Sequence, residues 1–107
     1  MSRPEELRLR DVLAAIETIR AHLAAGEFDQ KTNDAILYNL VVIGEAAARI
    51  GDETRERAPE IPWTSIVGLR NLVTHEYFRV DLEVIEDIVK TSLGPLEATV
   101  NRLLHEK

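Results

Sequence analysis

The chain has 107 residues, 45% of them hydrophobic, and no cysteine. That is enough apolar material for one folded core, and it excludes disulfide scaffolds, thiolate zinc sites and cysteine nucleophiles. Thirteen Lys plus Arg against nineteen Asp plus Glu give a formal net charge of −6, which argues against long-range steering toward nucleic acid. The first ten residues, MSRPEELRLR, are charged where a secretory signal needs an apolar stretch, and the apolar run from Ile36 to Ile43 is broken by Asn39. The expectation is a single cytoplasmic domain over residues 1–107 with no membrane span.

Proline and glycine divide the sequence into helix-like stretches, and no period-2 alternation is long enough for a strand. The fold class predicted is all-α, an antiparallel bundle of four to five helices. A first helix is predicted from Pro4 to Ala25, with Leu9, Val12, Leu13, Ile16, Ile19 and Leu23 on one stripe and Gly26 past its end. A second is predicted to begin after Thr32 or Asn33, both good caps, and to run to Ile50, stopped by Gly51. Its apolar positions spread over more than one face, more than a chain this short is expected to cover alone. Gly44, Ala46, Ala47 and Ala48 allow another backbone to come close, which makes this helix the candidate subunit interface of a homodimer as well as a core element; the alternative is a central helix covered wholly by its own chain.

The connector DETRERAPE has room for a short helical turn, and Pro62 suits the first turn of a third helix over Trp63 to Glu76. Trp63 reads as a packing residue, and Gly68 as an interior weak point. After a link at Tyr77 to Val80, Asp81 is the expected cap of a fourth helix carrying Leu82, Val84, Ile85, Ile88, Val89 and Leu93. Gly94 and Pro95 are expected to break or kink it, and a helical pattern resumes from Leu96 to Leu104.

Charge is unevenly placed. Residues 1–48 hold five basic and eight acidic residues, 49–80 hold five of each, and 81–107 hold three and six. An anion site is therefore expected in the middle, where every basic residue is an arginine: Arg49, Arg55, Arg57, Arg70 and Arg79. The competing reading pairs these arginines with Asp52, Glu53, Glu56 and Glu60.

Common catalytic signatures fall away on reading. The glycines are too far apart for a phosphate loop, and there is no GxSxG elbow. His75 and Glu76 begin an HExxH, but Arg79 stands where the second metal ligand would be, so no metal and no cofactor are expected. His22 and His105 read as solvated residues complementing helix carboxyl ends. What remains is Arg70 to Phe78, which reads RxxxxHxY at a helix end. At 100° per residue Asn71 and His75 share a face, and Tyr77 falls nearly in line with Arg70. Simple capping accounts for the same pattern: an imidazole near a helix carboxyl end, and a tyrosine anchoring the link.

With Arg70, Asn71, His75 and Tyr77 in these places, the chain resembles the HepT-like toxins of the HEPN superfamily. The IGEAA of Ile43 to Ala47, the IPW of Ile61 to Trp63 and the YFRVD of Tyr77 to Asp81 also look like that family, and the likeness covers nearly the whole chain. It implies a helical bundle that dimerises and a metal-independent endoribonuclease activity with Arg70 and His75 catalytic and Asn71 supporting. It further implies a partner, a nucleotidyltransferase antitoxin of the MNT type, which silences the toxin by transferring adenosine monophosphate to Tyr77. The rival reading is a non-catalytic helical module that binds a nucleotidyltransferase or a nucleotide, with Arg70 and His75 serving recognition.

Overall fold

A computed structural model describes residues 1–26, 29–71 and 82–106, and among these there is no strand. Among the described residues six α-helices form an all-α bundle: α1 (Arg3–Ala25), α2 (Gln30–Ala48), α3 (Asp52–Glu56), α4 (Trp63–Gly68), α5 (Leu82–Thr91) and α6 (Leu93–His105). A 3-10 turn, Leu69–Asn71, follows α4 directly. No described helix is long and apolar enough to cross a membrane.

Helix α1 starts on a capping box. The Ser2 hydroxyl oxygen accepts from the Glu5 amide at 3.2 Å, and Glu5 stands at the third helical position where a carboxylate faces the unpaired amides. Its predicted stripe is the buried one: Leu9, Val12, Ile16 and Ile19 are nearly or wholly inaccessible, joined by Ala15. Helix α2 begins earlier than expected, because Asp29 rather than Thr32 or Asn33 caps it. The Asp29 carboxylate accepts from the Thr32 amide at 2.8 Å, which leaves Thr32 and Asn33 inside the first turn. At the other end Arg49 closes the helix, two residues ahead of Gly51.

Helices α1 and α2 run antiparallel. Their four-residue connection joins one pair of ends, and at the other the Gly51 amide donates to Glu5 Oε2 at 2.9 Å. Helix α2 is the central element, packed on α1, α4, the 3-10 turn and α5, while α6 closes on α1 and α5. Ile36, Leu40 and Ile43 are fully buried by the chain's own elements. The expectation that one chain cannot cover α2 is thus corrected: neighbours from the same chain lie on both sides of it. Only an outer stripe including Tyr38, Glu45 and Arg49 stays exposed.

The small-residue face is likewise used within the chain. Ala46 and Ala47 are buried in its own core, and the backbone that approaches Gly44 is that of α4 and the 3-10 turn rather than a second copy's. Farther on, the expected break at Gly94 and Pro95 falls instead at Ser92. Pro95 sits in the first turn of α6, where a missing amide deprives no carbonyl of a helical partner, so Leu93 belongs to α6. The predicted cap Asp81 and the link from Tyr77 to Val80 lie outside the described residues.

Candidate functional site

The third predicted helix was to carry Arg70 to His75 as one α-helical face. The α-helix instead ends at Gly68, a weak helix former, and the backbone tightens to 3-10 geometry over Leu69, Arg70 and Asn71. Arg70 and Asn71 are both exposed. His75 and Tyr77 lie outside the described residues, and with them the expected stacking of Asn71 on His75 and the alignment of Arg70 with Tyr77.

What positions Arg70 is helix α2. Ile66 is buried and α4 packs on α2, bringing the backbone of residues 66–70 down onto Gly44. A Cβ built on Gly44 would lie 2.5 Å from the Arg70 amide nitrogen, 3.1 Å from the Ile66 carbonyl oxygen and 3.2 Å from Arg70 Cα. The root of Arg70 is seated on a helix while its side chain reaches solvent. Sequence reading marked Gly44 as a place for close approach but assigned the approach to another subunit. A glycine amid the apolar residues of a long helix signals a contact; its partner becomes visible only in three dimensions.

The other middle arginines divide between scaffold and surface. Arg55 donates from Nε to the Ile50 carbonyl at 2.9 Å and from Nη2 to the Ala47 carbonyl at 3.0 Å, closing the open end of α2. The same guanidinium lies 5.5 Å from the centre of the Trp63 ring, and the indole N–H donates to the Ala58 carbonyl at 3.0 Å, so Trp63 packs as expected. Arg57 pairs with Glu106 at 3.1 Å, and Arg102 pairs with both Glu106 and Glu60. Among the described residues the competing reading, pairing within the segment, is not seen: Arg57 reaches to Glu106 at the end of α6, and Glu60 is held by Arg102 of α6. Hydrogen bonds from Arg102 hold the Glu106 carboxyl below its usual range, and the same pair raises the Arg102 guanidinium further. The guanidinium of Arg70, like that of exposed Arg49, makes no hydrogen bond or ion pair with a described residue. Arg79 lies outside the described residues.

A concavity of about 400 Å³ lies between α4 and the α5–α6 pair, walled by Ile61, Pro62, Ile66, Leu69, Ile88 and Leu96. Among its described lining residues only Glu60 is titratable, a charge that opposes a phosphate, and Arg70 is not one of them. His22 and His105 are exposed in the last turns of α1 and α6, where a partial negative charge gathers, and His105 Nδ1 stands 2.6 Å from the Asn101 carbonyl oxygen.

Comparison with known proteins adds what the geometry alone does not carry. The family model for HepT-like proteins, described as ribonuclease HepT-like, matches residues 9–103. The chain is 32% identical over 108 residues to "Probable ribonuclease HepT" of Thermococcus cleftensis, covering 96% of this chain and 98% of that protein. It is 28% identical over 104 residues to "Putative RNase TTE0752" of Caldanaerobacter subterraneus subsp. tengcongensis, covering 92% and 93%. With "Putative RNase MJ1380" of Methanocaldococcus jannaschii it shares 38% identity over 66 residues, 62% of this chain and 61% of that one. No solved structure matches the chain. A match of the family model from α1 through α6, with an equally full-length relative, places this chain in the HepT-like ribonuclease family.

Proposed function

We propose that the chain is a metal-independent endoribonuclease, the toxin of a type II toxin–antitoxin pair, cutting RNA by attack of a ribose 2′-hydroxyl on the adjacent phosphate. The observation that carries this reading is Arg70: its backbone is seated on α2, its guanidinium is exposed, and no described carboxylate competes for it. A forked guanidinium so held suits the phosphate oxygens on which negative charge builds as the 2′-oxygen adds.

The reaction needs a base and an acid besides this clamp. His75 takes the 2′-hydroxyl proton, imidazole being the side chain that exchanges protons near neutral pH; the 2′-oxygen bonds to phosphorus, the bond from phosphorus to the 5′-oxygen breaks, and an imidazolium protonates that oxygen. The products are a 2′,3′-cyclic phosphate and a 5′-hydroxyl end. One chain supplies one histidine in this segment, so the two roles call for a homodimer in which Arg70 and His75 of both copies meet across one cleft. Asn71, next to Arg70 in the 3-10 turn, orients the ribose or the imidazole. The interface does not use the Gly44 face of α2, which the chain itself covers.

The proposed antitoxin is an MNT-type nucleotidyltransferase that transfers adenosine monophosphate to Tyr77. The added phosphate brings negative charge to the site where Arg70 meets RNA, and the nucleotide fills the cleft. Purified protein incubated with RNA in chelator tests the core of the reading. Cyclic phosphate ends from the native chain and none from His75→Ala support it; RNA binding with no cleavage by either would favour the non-catalytic partner module.

A further inference from the structure

We infer that Gly44 is a positioning residue for Arg70, so that helix α2 sets where the phosphate clamp stands. The inference rests on the ribonuclease reading and adds a residue to it that does not touch RNA.

The constraint at residue 44 is steric. Contacts between non-bonded heavy atoms are optimal at about 3.5–4 Å, and a Cβ at position 44 would come to 2.5 Å from the Arg70 amide nitrogen, about 1 Å too close. The atoms it meets, Arg70 N, Arg70 Cα and Ile66 O, all belong to the backbone and cannot swing aside as the end of a side chain can. The 3-10 turn must therefore retreat, and because the collision is at residue 70 itself, the root of the guanidinium moves with it. A displacement of that size matters for a group that must meet developing charge in one geometry.

The other glycines show that this contact is particular to one place. At Gly26, Gly68 and Gly94 a Cβ would meet nothing within 4 Å, and at Gly51 it would touch only the carboxylate end of Glu5, at 3.5 Å. Gly44 is also buried within α2, a helix interior that disfavours glycine, so the gain from its missing side chain lies in the approach it permits.

The test separates positioning from stability. In a His75→Ala background, which binds RNA without cutting it, affinity for a single-stranded RNA oligonucleotide is measured by fluorescence anisotropy over a salt series. One phosphate contact on a single strand contributes about 0.7 to the slope of log K against log salt. Arg70→Ala removes the guanidinium from both copies and should lower the slope by about 0.7 for each one that meets the strand, Gly44→Ala should lower it by the same amount, the double substitution should lower it no further, and Gly94→Ala should leave it unchanged. With His75 intact, Gly44→Ala should lower kcat/KM for cleavage at least about tenfold.

A Gly44→Ala chain that unfolds at lower temperature but keeps the native slope and native cleavage overturns the inference. If Gly44→Ala does not fold, it is repeated on Gly94→Ala, a helical site with open space where alanine adds stability. Failure to fold there too overturns the inference, since the strain would then belong to the bundle and not to residue 70. A native chain that cuts no RNA defeats the ribonuclease reading instead, and the slopes still report whether residue 44 governs Arg70.

Discussion

Arginines stand on several faces of this small bundle, and two of those regions use them in opposite ways. Where the end of α3 meets α6, Arg57, Glu106, Arg102 and Glu60 form a chain of ion pairs, and Arg102 also donates to the Arg57 carbonyl at 3.1 Å. In the 3-10 turn Arg70 has its backbone pressed on α2 and its guanidinium without a described partner. Exposed ion pairs contribute little to stability one at a time, but they neutralise each other, so the α3–α6 region presents little net attraction to an anion. Among the described residues the first region is tied together as scaffold, and the second is the one that the proposed reading assigns to a phosphate.

The sharpest way to break that contrast is to remove charge from each side. Arg70→Ala and His75→Ala should each lower RNA cleavage by about 10² to 10⁴-fold. Arg70→Ala, a substitution at an exposed position, should leave thermal unfolding nearly unchanged. Next in size is the shared support of both regions. Ile43→Ala, in the fully buried part of α2, should cost about 2–5 kcal/mol in urea unfolding and lower cleavage only as far as folded protein is lost. Smaller again is Arg102→Ala, expected to cost less than about 1 kcal/mol while cleavage stays at the native rate. Cleavage lost with Arg102 and kept without Arg70 would reverse the assignment of the two regions.

The sequence carried the helical class, the buried stripe of α1, the packing role of Trp63 and the family resemblance, because each rests on local periodicity or on a motif. It misplaced features that depend on competition between neighbouring signals. Asp29, Thr32 and Asn33 are all good caps, and the carboxylate one turn earlier took the role. Gly94 and Pro95 looked like a break, yet proline is at home in a first turn, and the junction moved to Ser92. The α-helix expected to run from Trp63 to Glu76 stops at Gly68, since six α-helical residues followed by a 3-10 turn lay the backbone of Ile66 and Arg70 on Gly44. Of the candidate site, Arg70 and Asn71 could be picked out by residue type, but the reason Arg70 stands where it does is a contact across 26 positions of sequence. No periodicity encodes such a contact.

The smallest expected effect concerns a carboxylate whose work is structural. Glu5 accepts from the Gly51 amide, which together with contacts from Thr54 and Ser2 holds its carboxyl below the usual value of 4.5 despite some burial. A group whose folded pKa is depressed adds stability that is present above the unfolded value and is lost as pH falls through the folded one. Urea unfolding of native chain and Glu5→Gln should therefore differ most near pH 7, with the native chain the more stable, and the difference should shrink as pH drops below about 4.5. Asp29, Glu60 and Glu106 are also depressed, by the Thr32 amide, by Glu60's own backbone amide and by Arg102 respectively, but they are common to both proteins and cancel in the comparison. A difference that stays constant with pH would mean that Glu5 acts by shape and hydrogen bonding alone. Cleavage at neutral pH should be the same in both, because the tie between the start of α1 and the end of α2 belongs to the scaffold and not to the turn that carries Arg70.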